Sequence, residues 1–227
     1  MNKTKIAVFD IDGTLFRSSL MLELFYALIR EKIFDESVLA TIEKHYVTWK
    51  NRKGTYAEYI ASVVCVFDTQ IKGKQACDVR RLSRDIVKAH KNRVYVYTRD
   101  LVETLRRDHI LIAISGSPIE MIKEFNRYWK FDYIIGGVHE IKAGTYTGNV
   151  LFDPTTDKKA ILNEMLKNEG LSLKGSVGVG DTEMDISFLE LVAKPICFNP
   201  NKKLYEVARK KKWAVVVERK DVVYKGV

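Results

Sequence analysis

The chain has 227 residues, of which 46% are hydrophobic and 30% are charged, a balance typical of a globular protein and not of a disordered chain. Three scattered cysteines without a C-x-x-C pair argue against a zinc site or a disulfide framework, so we expect free thiols in a reducing cytoplasm. No apolar run approaches membrane-spanning length and the first residues lead directly into a strand, so we expect neither a membrane partner nor a signal peptide.

The net charge of +9 is compatible with nucleic acid, an anionic membrane surface or a phosphorylated small molecule as a partner. The densest basic run spans Arg209 to Lys212 and falls on a predicted helix, where a solvated face is the simpler interpretation. No aromatic-interleaved basic groove, zinc finger or RNA-binding signature accompanies this run. The pattern therefore disfavours nucleic acid as a partner.

The first predicted element is a strand that leads into two aspartates. The apolar run from Ile6 to Phe9 is typical of a strand covered on both faces inside a parallel sheet. Asp10 and Asp12 follow at its carboxyl end, where ligands bind in open α/β sheets, and Gly13 allows a tight turn. On a regular strand, residues two apart share a face, so these carboxylates would repel each other. A divalent cation would relieve that repulsion, and oxygen ligands favour magnesium.

The next segment, up to about residue 92, has helical periodicity. Ser18 and Ser19 are candidate caps for a helix that begins near Leu20, and three more helices are predicted over 36–50, 55–67 and 78–91. Aromatic residues are dense here, and we interpret most of them as the core of a helical bundle. Because the segment lacks strand signals, it is predicted to be an insertion between two halves of an α/β domain.

From residue 93 onwards, strands and helices alternate, which indicates a mostly parallel sheet in a three-layer arrangement. Helices are predicted over 97–107, 119–129, 158–168, 184–193 and 201–212. Strands are predicted over 109–114, 131–138, 176–179 and 195–198, with a last strand over 214–217 and a hairpin over 140–149 that turns at Ala143-Gly144.

Polar residues follow three of the predicted buried strands, and a lysine opens a later helix. Each signal is weak alone, because a strand-end serine can be only a helix cap and a first-turn lysine can be solvated. Taken together in chain order, however, these signals resemble the four motifs of the haloacid dehalogenase (HAD) superfamily of phosphohydrolases. They are D-I-D-G-T-L, S-G-S-P, the lysine and G-D-T-E-M-D. The resemblance covers nearly the whole chain and is strongest to the phosphoserine-phosphatase-like branch, subfamily IB. The matching positions are Asp10, Asp12, Ser115, Gly116, Lys158, Asp181 and Asp185.

The resemblance also implies a domain organisation. Asp10 and Ser115 are 105 positions apart, whereas Ser115 and Lys158 are only 43 apart, so the large insertion lies between the first two motifs. In this superfamily that placement corresponds to a helical cap of the C1 kind. We therefore expect a Rossmann-like three-layer α/β/α HAD core from residues 1–16 and 93–227, and a helical cap domain from residues 17–92.

The resemblance implies covalent phosphoryl transfer to a carboxylate. Asp10 would attack phosphorus and form an aspartyl phosphate, and Asp12 would act as general acid and then general base. Aspartate at the position of Asp12 is typical of the phosphatases and mutases of the superfamily. The expected substrate is a small phosphorylated metabolite, because a cap that closes over the site excludes large polymers.

The remaining motif residues would neutralise and hold the phosphoryl group. Ser115, the backbone amide of Gly116 and Lys158 would bind its oxygens, with Lys159 as the competing lysine. Magnesium would be held by Asp10, the backbone carbonyl of Asp12, Asp181 and Asp185.

Two positions depart from the phosphoserine phosphatase pattern. Ser19 occupies the position of the glutamate that holds the substrate's amino group, and Met184 occupies that of a motif asparagine. Both departures argue against phosphoserine itself. The basic cap residues Lys50, Arg52 and Lys53 could hold a second anionic group, although solvated surface is the simpler interpretation.

Two alternatives to a phosphatase stay open at this point. A phosphotransferase or mutase of the same fold would pass the phosphoryl group to an alcohol in place of water. A non-catalytic nucleic-acid-binding or regulatory protein would explain the positive charge, but it would leave the complete set of motif residues unexplained. Neither the physiological substrate nor the oligomeric state follows from the sequence.

Overall fold

One sheet of eight strands runs through residues 5–226, the part of the chain that this computed structural model describes. The strands are β1 (Lys5–Phe9), β2 (His109–Pro118), β3 (Tyr133–Lys142), β4 (Thr145–Phe152), β5 (Ser172–Gly180), β6 (Lys194–Phe198), β7 (Ala214–Arg219) and β8 (Val222–Lys225). Their order across the sheet is β4-β3-β2-β1-β5-β6-β7-β8. The six inner strands are parallel, and the two edge strands β4 and β8 pair antiparallel with their neighbours. The predicted mostly parallel sheet is confirmed.

Strand β1 lies at the centre of the sheet, hydrogen-bonded to β2 on one side and to β5 on the other. Its four apolar residues are fully buried. Ala7 and Phe9 belong to the hydrophobic cluster on one face of the sheet, and Ile6 and Val8 belong to the cluster on the other. Covering both faces explains why this strand is a continuous apolar run and not an alternating one.

The described residues form nine α-helices, most of which cover the two faces of the sheet. They are α1 (Leu20–Arg30), α2 (Leu39–Lys50), α3 (Tyr56–Gln70), α4 (Ala76–His90), α5 (Val96–Leu105), α6 (Ile119–Trp129), α7 (Lys158–Glu169), α8 (Ile186–Leu189) and α9 (Lys202–Lys211). Buried residues of α1, α4, α5 and α6 join the cluster that contains Phe9, whereas those of α7, α8 and α9 join the cluster that contains Val8. The result is the three-layer arrangement of an α/β protein with a Rossmann-like core.

Helices α1 to α4 lie between the first two strands of the chain, as predicted for residues 17–92. They share one hydrophobic cluster with the sheet. The turn between α3 and α4 also pairs with the β3–β4 hairpin: Gly73 donates to the carbonyl of Tyr146 at 2.8 Å, and Ala76 donates to that of Gly144 at 2.8 Å. The division into a core and a cap domain stays a prediction.

Two predicted elements differ in the structure. The helix predicted over 184–193 is shorter in the structure: a single 3-10 turn, Glu183–Asp185, leads into the short helix α8, and the chain then turns into strand β6 at Lys194. The last strand is not the one predicted over 214–217: β8 follows it after a turn at Lys220, where φ is +56°. The hairpin turn at Ala143-Gly144 is confirmed, with φ values of +48° and +81°.

Between residues 5 and 226, no helix combines the length and the apolar character that a membrane span requires.

Candidate active site

The predicted motif residues meet at one edge of the sheet. Asp10 directly follows β1, Ser115 and Gly116 lie near the end of β2, and Asp181 directly follows β5. Because these three strands are adjacent and parallel, their carboxyl ends reach the same edge. Sequence positions up to 171 residues apart are therefore brought together by the sheet alone.

Lys158 connects two of the carboxylates. It opens α7, where Asp157 caps the helix by accepting from the amide of Ala160 at 2.9 Å. The Lys158 side chain is 3% exposed, and its Nζ lies 2.8 Å from Oδ1 of Asp10 and 2.6 Å from Oδ1 of Asp185. Its neighbour Lys159 is exposed on the outside of the helix. The geometry thus favours Lys158 over Lys159 as the lysine of the site.

Asp185 organises the loop that follows β5. Its side chain is fully buried, and its Oδ2 accepts hydrogen bonds from the backbone amides of Asp181 and Thr182, both at 3.0 Å. With Oδ1 bound to Lys158, both oxygens of Asp185 are engaged. Asp185 therefore fixes the position of Lys158 and of the backbone that carries Asp181.

Asp12 is held by two serines and a helix N-terminus. Its Oδ2 accepts from the hydroxyls of Ser115 at 2.6 Å and Ser117 at 2.9 Å, and its Oδ1 accepts from the amide of Leu20 at the start of α1. The predicted phosphate ligand Ser115 thus contacts Asp12 in this structure. Sequence reasoning missed Ser117, although the S-G-S spacing places two hydroxyls on one side of the strand end.

Asp181 has a looser environment than Asp185. Its Oδ1 accepts from the hydroxyl of Thr14 at 3.2 Å. Gly13 has a φ of +82°, and a Cβ atom at this position would overlap the Asp181 carboxylate. Glycine is therefore required here both by the turn and by the close approach of Asp181.

The acidic residues fit a divalent cation. Asp10, Asp181 and Asp185 each have a carboxylate oxygen within 4.8 Å of the others. Oδ2 of Asp10 is buried and has no hydrogen-bond partner among the described residues, a costly state for a carboxylate oxygen. Three carboxylates around the single lysine also leave an excess of negative charge. Oxygen ligands with this charge suit a hard cation such as Mg²⁺.

Burial is the main cause of the raised pKa values of the aspartates at this site. Burial raises the pKa of Asp10 to about 7, although Lys158 lowers it. Burial, and then the nearby charges of Asp10 and Asp185, raise the pKa of Asp181, and burial raises that of Asp12. Burial lowers the pKa of Lys158, but the carboxylates of Asp10 and Asp185 outweigh it and leave that pKa above its usual value. Lys158 is therefore a permanent cation in this site.

Helix α3 contributes one aromatic residue that sequence reasoning did not assign to the site. The half-buried Tyr56 lies near Ser19, Asp12 and Asp181. Burial first, and then these two carboxylates, raise its pKa. Tyr56 therefore stays a neutral hydroxyl beside the charged centre.

The residues at which this chain departs from the phosphoserine phosphatase pattern lie outside the carboxylate cluster. Ser19 is buried and caps α1, and Met184 is 46% exposed. Glu23, one turn further along α1, is engaged by the hydroxyl of Ser18 and the guanidinium of Arg93, both at 2.8 Å. The basic cap residues are solvent-exposed: Lys50, Arg52 and Lys53.

Two curated proteins are similar to the chain over most of its length. Phosphoserine phosphatase SerB1 of Mycobacterium tuberculosis is 23% identical over 229 residues, which cover 93% of this chain and 70% of the relative. Histidinol-phosphatase of Neisseria meningitidis is 24% identical over 229 residues, which cover 93% of this chain and 97% of the relative.

Solved structures share the fold. A protein of unknown function from Bordetella pertussis Tohama I superimposes with a TM-score of 0.72 and 19% identity, covering 94% of this chain and 98% of its own. A phospho-aspartyl intermediate analogue of phosphoserine phosphatase superimposes with a TM-score of 0.61 and 20% identity, covering 97% of this chain and 96% of its own. The predicted resemblance to the HAD superfamily and its phosphoserine-phosphatase-like branch is confirmed. The family model of haloacid dehalogenase-like hydrolases matches residues 7–190, most of the chain, and the chain therefore belongs to this family.

Proposed function

We propose that this chain is a magnesium-dependent phosphatase that hydrolyses a small-molecule phosphate monoester through an aspartyl phosphate on Asp10. One observation carries the proposal: Lys158 bridges Asp10 and Asp185, beside an oxygen of Asp10 that is buried and has no partner among the described residues. A carboxylate fixed by one oxygen, with the other unengaged at a sheet edge, is suited to nucleophilic attack.

Asp10 is the nucleophile in the first step. Its Oδ1 is held 2.8 Å from Lys158, which leaves Oδ2 to form the bond to phosphorus. The bond between phosphorus and the substrate's alcohol oxygen breaks in line with this attack. Lys158 offsets the negative charge that would otherwise repel a phosphate dianion from the carboxylate.

Asp12 transfers the proton in both steps. It gives a proton to the departing alkoxide, and it then takes one from the water that attacks the aspartyl phosphate. Burial raises the pKa of Asp12, which favours the protonated form that the first step needs. Ser115 and Ser117 hold the carboxyl group in position between these steps.

The residues that would hold magnesium are Asp10, Asp181 and Asp185, together with the backbone carbonyl of Asp12. When bound, Mg²⁺ supplies positive charge that stabilises the phosphoryl oxygens. Gly116 would bind a phosphoryl oxygen through its backbone amide.

The substrate is proposed as a small phosphate monoester, in keeping with relatives that are named phosphoserine phosphatase and histidinol-phosphatase. Phosphoserine is disfavoured because Ser19 caps a helix and Glu23 is engaged by Arg93. The free thiols fit the reducing cytoplasm that we propose as its location.

The test measures phosphate release from a panel of phosphate monoesters, with and without Mg²⁺. We expect Mg²⁺-dependent release by the wild type and a loss of more than about 10³-fold in kcat for Asp10→Asn, because the nucleophile is removed. Asp85→Asn, which changes an exposed aspartate of α4, is the matched control and should retain full activity. Equal activity of Asp10→Asn and wild type would refute the proposal, and transfer of phosphate to added glycerol in place of water would indicate a phosphotransferase.

A further inference from the structure

A small cavity lies beside Gly116, between the helices that follow β1 and the β3–β4 hairpin. Its volume is about 70 Å³. Met21 of α1, Val64 of α3 and Phe152 of β4 form apolar parts of its wall. A much larger cavity, of about 390 Å³, lies between α6, β3 and α7, but no predicted site residue lines it. The small cavity is therefore the one placed to receive the alcohol part of a phosphate ester whose phosphoryl group is held at Gly116.

The wall of this cavity contains a carboxylate–imidazole pair from two different elements. Nε2 of His139, on β3, lies 2.8 Å from Oδ1 of Asp68, on α3. The side chains are 8% and 32% exposed, respectively. The His139 ring packs edge-on against Phe67 at 5.4 Å and against Tyr146 at 6.3 Å. Packing thus fixes the imidazole, and the imidazole fixes the orientation of the Asp68 carboxylate.

The second oxygen of Asp68 has no hydrogen bond to any described residue. The other carboxylate of the wall, Asp153, is solvent-exposed, and its Oδ1 accepts from the amide and the hydroxyl of Thr155 at 2.8 and 2.7 Å. Asp68 is half-buried, so water screens its charge less, and it is the stronger acceptor that the cavity offers to a charged ligand.

The charge of the wall is opposite to that of the chain. Neither lysine nor arginine is among the described residues that line the cavity, although the chain carries a net charge of +9. A partly buried carboxylate binds most strongly to a group that is itself charged and donates hydrogen bonds. An alkylammonium group meets both conditions, and the small volume of the cavity, about 70 Å³, favours a short alcohol.

We propose that Asp68, positioned by His139, is a specificity-determining residue that binds an ammonium group on the alcohol of the substrate. This inference rests on the proposed phosphatase function and narrows its substrate to phosphate esters of small amino alcohols. In the phosphoserine phosphatase pattern, a glutamate at the position of Ser19 contacts the substrate's amino group, and this chain has no carboxylate there. The inference places that contact on α3 and β3 instead.

A different role for the pair would be purely structural, as a link between α3 and β3. The two roles predict different measurements. A link affects the hydrolysis of all esters equally, whereas a recognition site affects only esters that carry the ammonium group.

The test compares kcat/KM for O-phosphoethanolamine and n-propyl phosphate, which differ mainly by an ammonium in place of a methyl group. We expect the wild type to prefer O-phosphoethanolamine by about tenfold or more, a comparison that needs no variant. Asp68→Asn should bring the preference close to one, while kcat/KM for n-propyl phosphate changes by less than about threefold. Asp153→Asn is the matched control and should keep the preference. His139→Gln should reduce the preference in part, because Asp68 stays but loses its orientation.

Three results would overturn the inference. The wild type could show no preference for O-phosphoethanolamine, or Asp68→Asn could keep the full preference. Asp68→Asn could also lower the hydrolysis of both esters equally and lower the melting temperature. In each case, continued Mg²⁺-dependent hydrolysis of n-propyl phosphate by the wild type leaves the proposed function standing. If the wild type hydrolyses neither these esters nor p-nitrophenyl phosphate, the proposed function fails, and this inference fails with it.

Discussion

The two sides of the candidate active site are stabilised in different ways. On the strand-end side, formed by Asp10, Asp12, Ser115, Lys158, Asp181 and Asp185, charged and polar side chains are joined by short hydrogen bonds. On the helical side, formed by α1, α2 and α3, aromatic packing dominates. Tyr59 is 2% exposed, stacks on Trp49 with ring centroids 5.3 Å apart, and shares a 2.7 Å hydrogen bond with Tyr26.

Under the proposed function, the difference corresponds to two separate tasks. Chemistry at phosphorus depends on atoms that hold their positions in the transition state, and a network of buried charges and hydrogen bonds provides this. Recognition of the alcohol needs a surface whose shape can differ between relatives, and an apolar, aromatic surface with one carboxylate provides that. We therefore expect substitutions on the strand-end side to affect every substrate and those on the helical side to affect the choice of substrate.

An effect second only to that of Asp10→Asn should follow from Lys158→Met, with Lys159→Met as its matched control. Removal of Lys158 leaves Asp10 and Asp185 buried without their cation, so we expect kcat to fall by about 10³-fold for every phosphate ester. Lys159 is exposed, and its replacement should change kcat by less than about twofold. Steady-state kinetics measures kcat of both variants, and circular dichroism checks that both are folded. Similar kcat values for the two variants would show that the strand-end side does not carry out the reaction.

A smaller effect should follow from Ser117→Ala. This change removes one of the two hydroxyls that donate to Asp12 and leaves the other in place, so we expect kcat to fall by about tenfold with KM nearly unchanged. Ser83→Ala is the matched control, because Ser83 is also fully buried but bonds only the carbonyl of Val79 within α4. If kcat falls equally in both variants, the loss reflects a general disturbance of the fold and not the position of Asp12.

The smallest effect should come from modifying the thiols. Cys65 and Cys77 are exposed on α3 and α4, whereas Cys197 is buried in β6, where burial raises its pKa to about 12. At pH 8 only about one in 10⁴ Cys197 side chains is a thiolate, so a thiol reagent should modify two residues per native chain and the third only after unfolding. Ellman's reagent with denaturant counts the thiols, and phosphate release should stay within about twofold of the unmodified enzyme. Rapid reaction of all three thiols in the native protein would show that the core opens more readily than its packing implies.

Much of the strand-end side was predictable because its residues follow the ends of buried strands. Asp10 and Asp181 are each preceded by a strand with a strong apolar signal, and parallel strands place such ends at one edge. Lys158 was predictable through its position in the family motif, although the choice over Lys159 depended on which side of α7 faces the sheet. By contrast, the helix predicted over 184–193 was too long: it ends at Leu189, because residues 190–193 turn the chain into β6, a requirement of the tertiary fold that helical periodicity does not record.

The helical side was largely beyond sequence reasoning. Asp68, on α3 of this side, and its partner His139, on β3, are 71 positions apart in the chain, and neither belongs to a recognisable motif. Tyr56 was one aromatic residue among many in the sequence, and its proximity to Asp12 and Asp181 depends on how α3 packs over the sheet.

The sequence by itself determined the α/β architecture, the family and the acidic character of the strand ends. Hydrophobic periodicity and the order of motifs are properties of the chain itself, so they can be read directly from the amino-acid sequence. Only the tertiary structure decided which side chains share hydrogen bonds: that Ser115 and Ser117 hold Asp12, that Lys158 lies between Asp10 and Asp185, and that Asp68 opens into the cavity beside Gly116. Those pairings arise because helices and hairpins distant in the chain pack against one another, and packing selects partners by shape and burial and not by their spacing in the sequence.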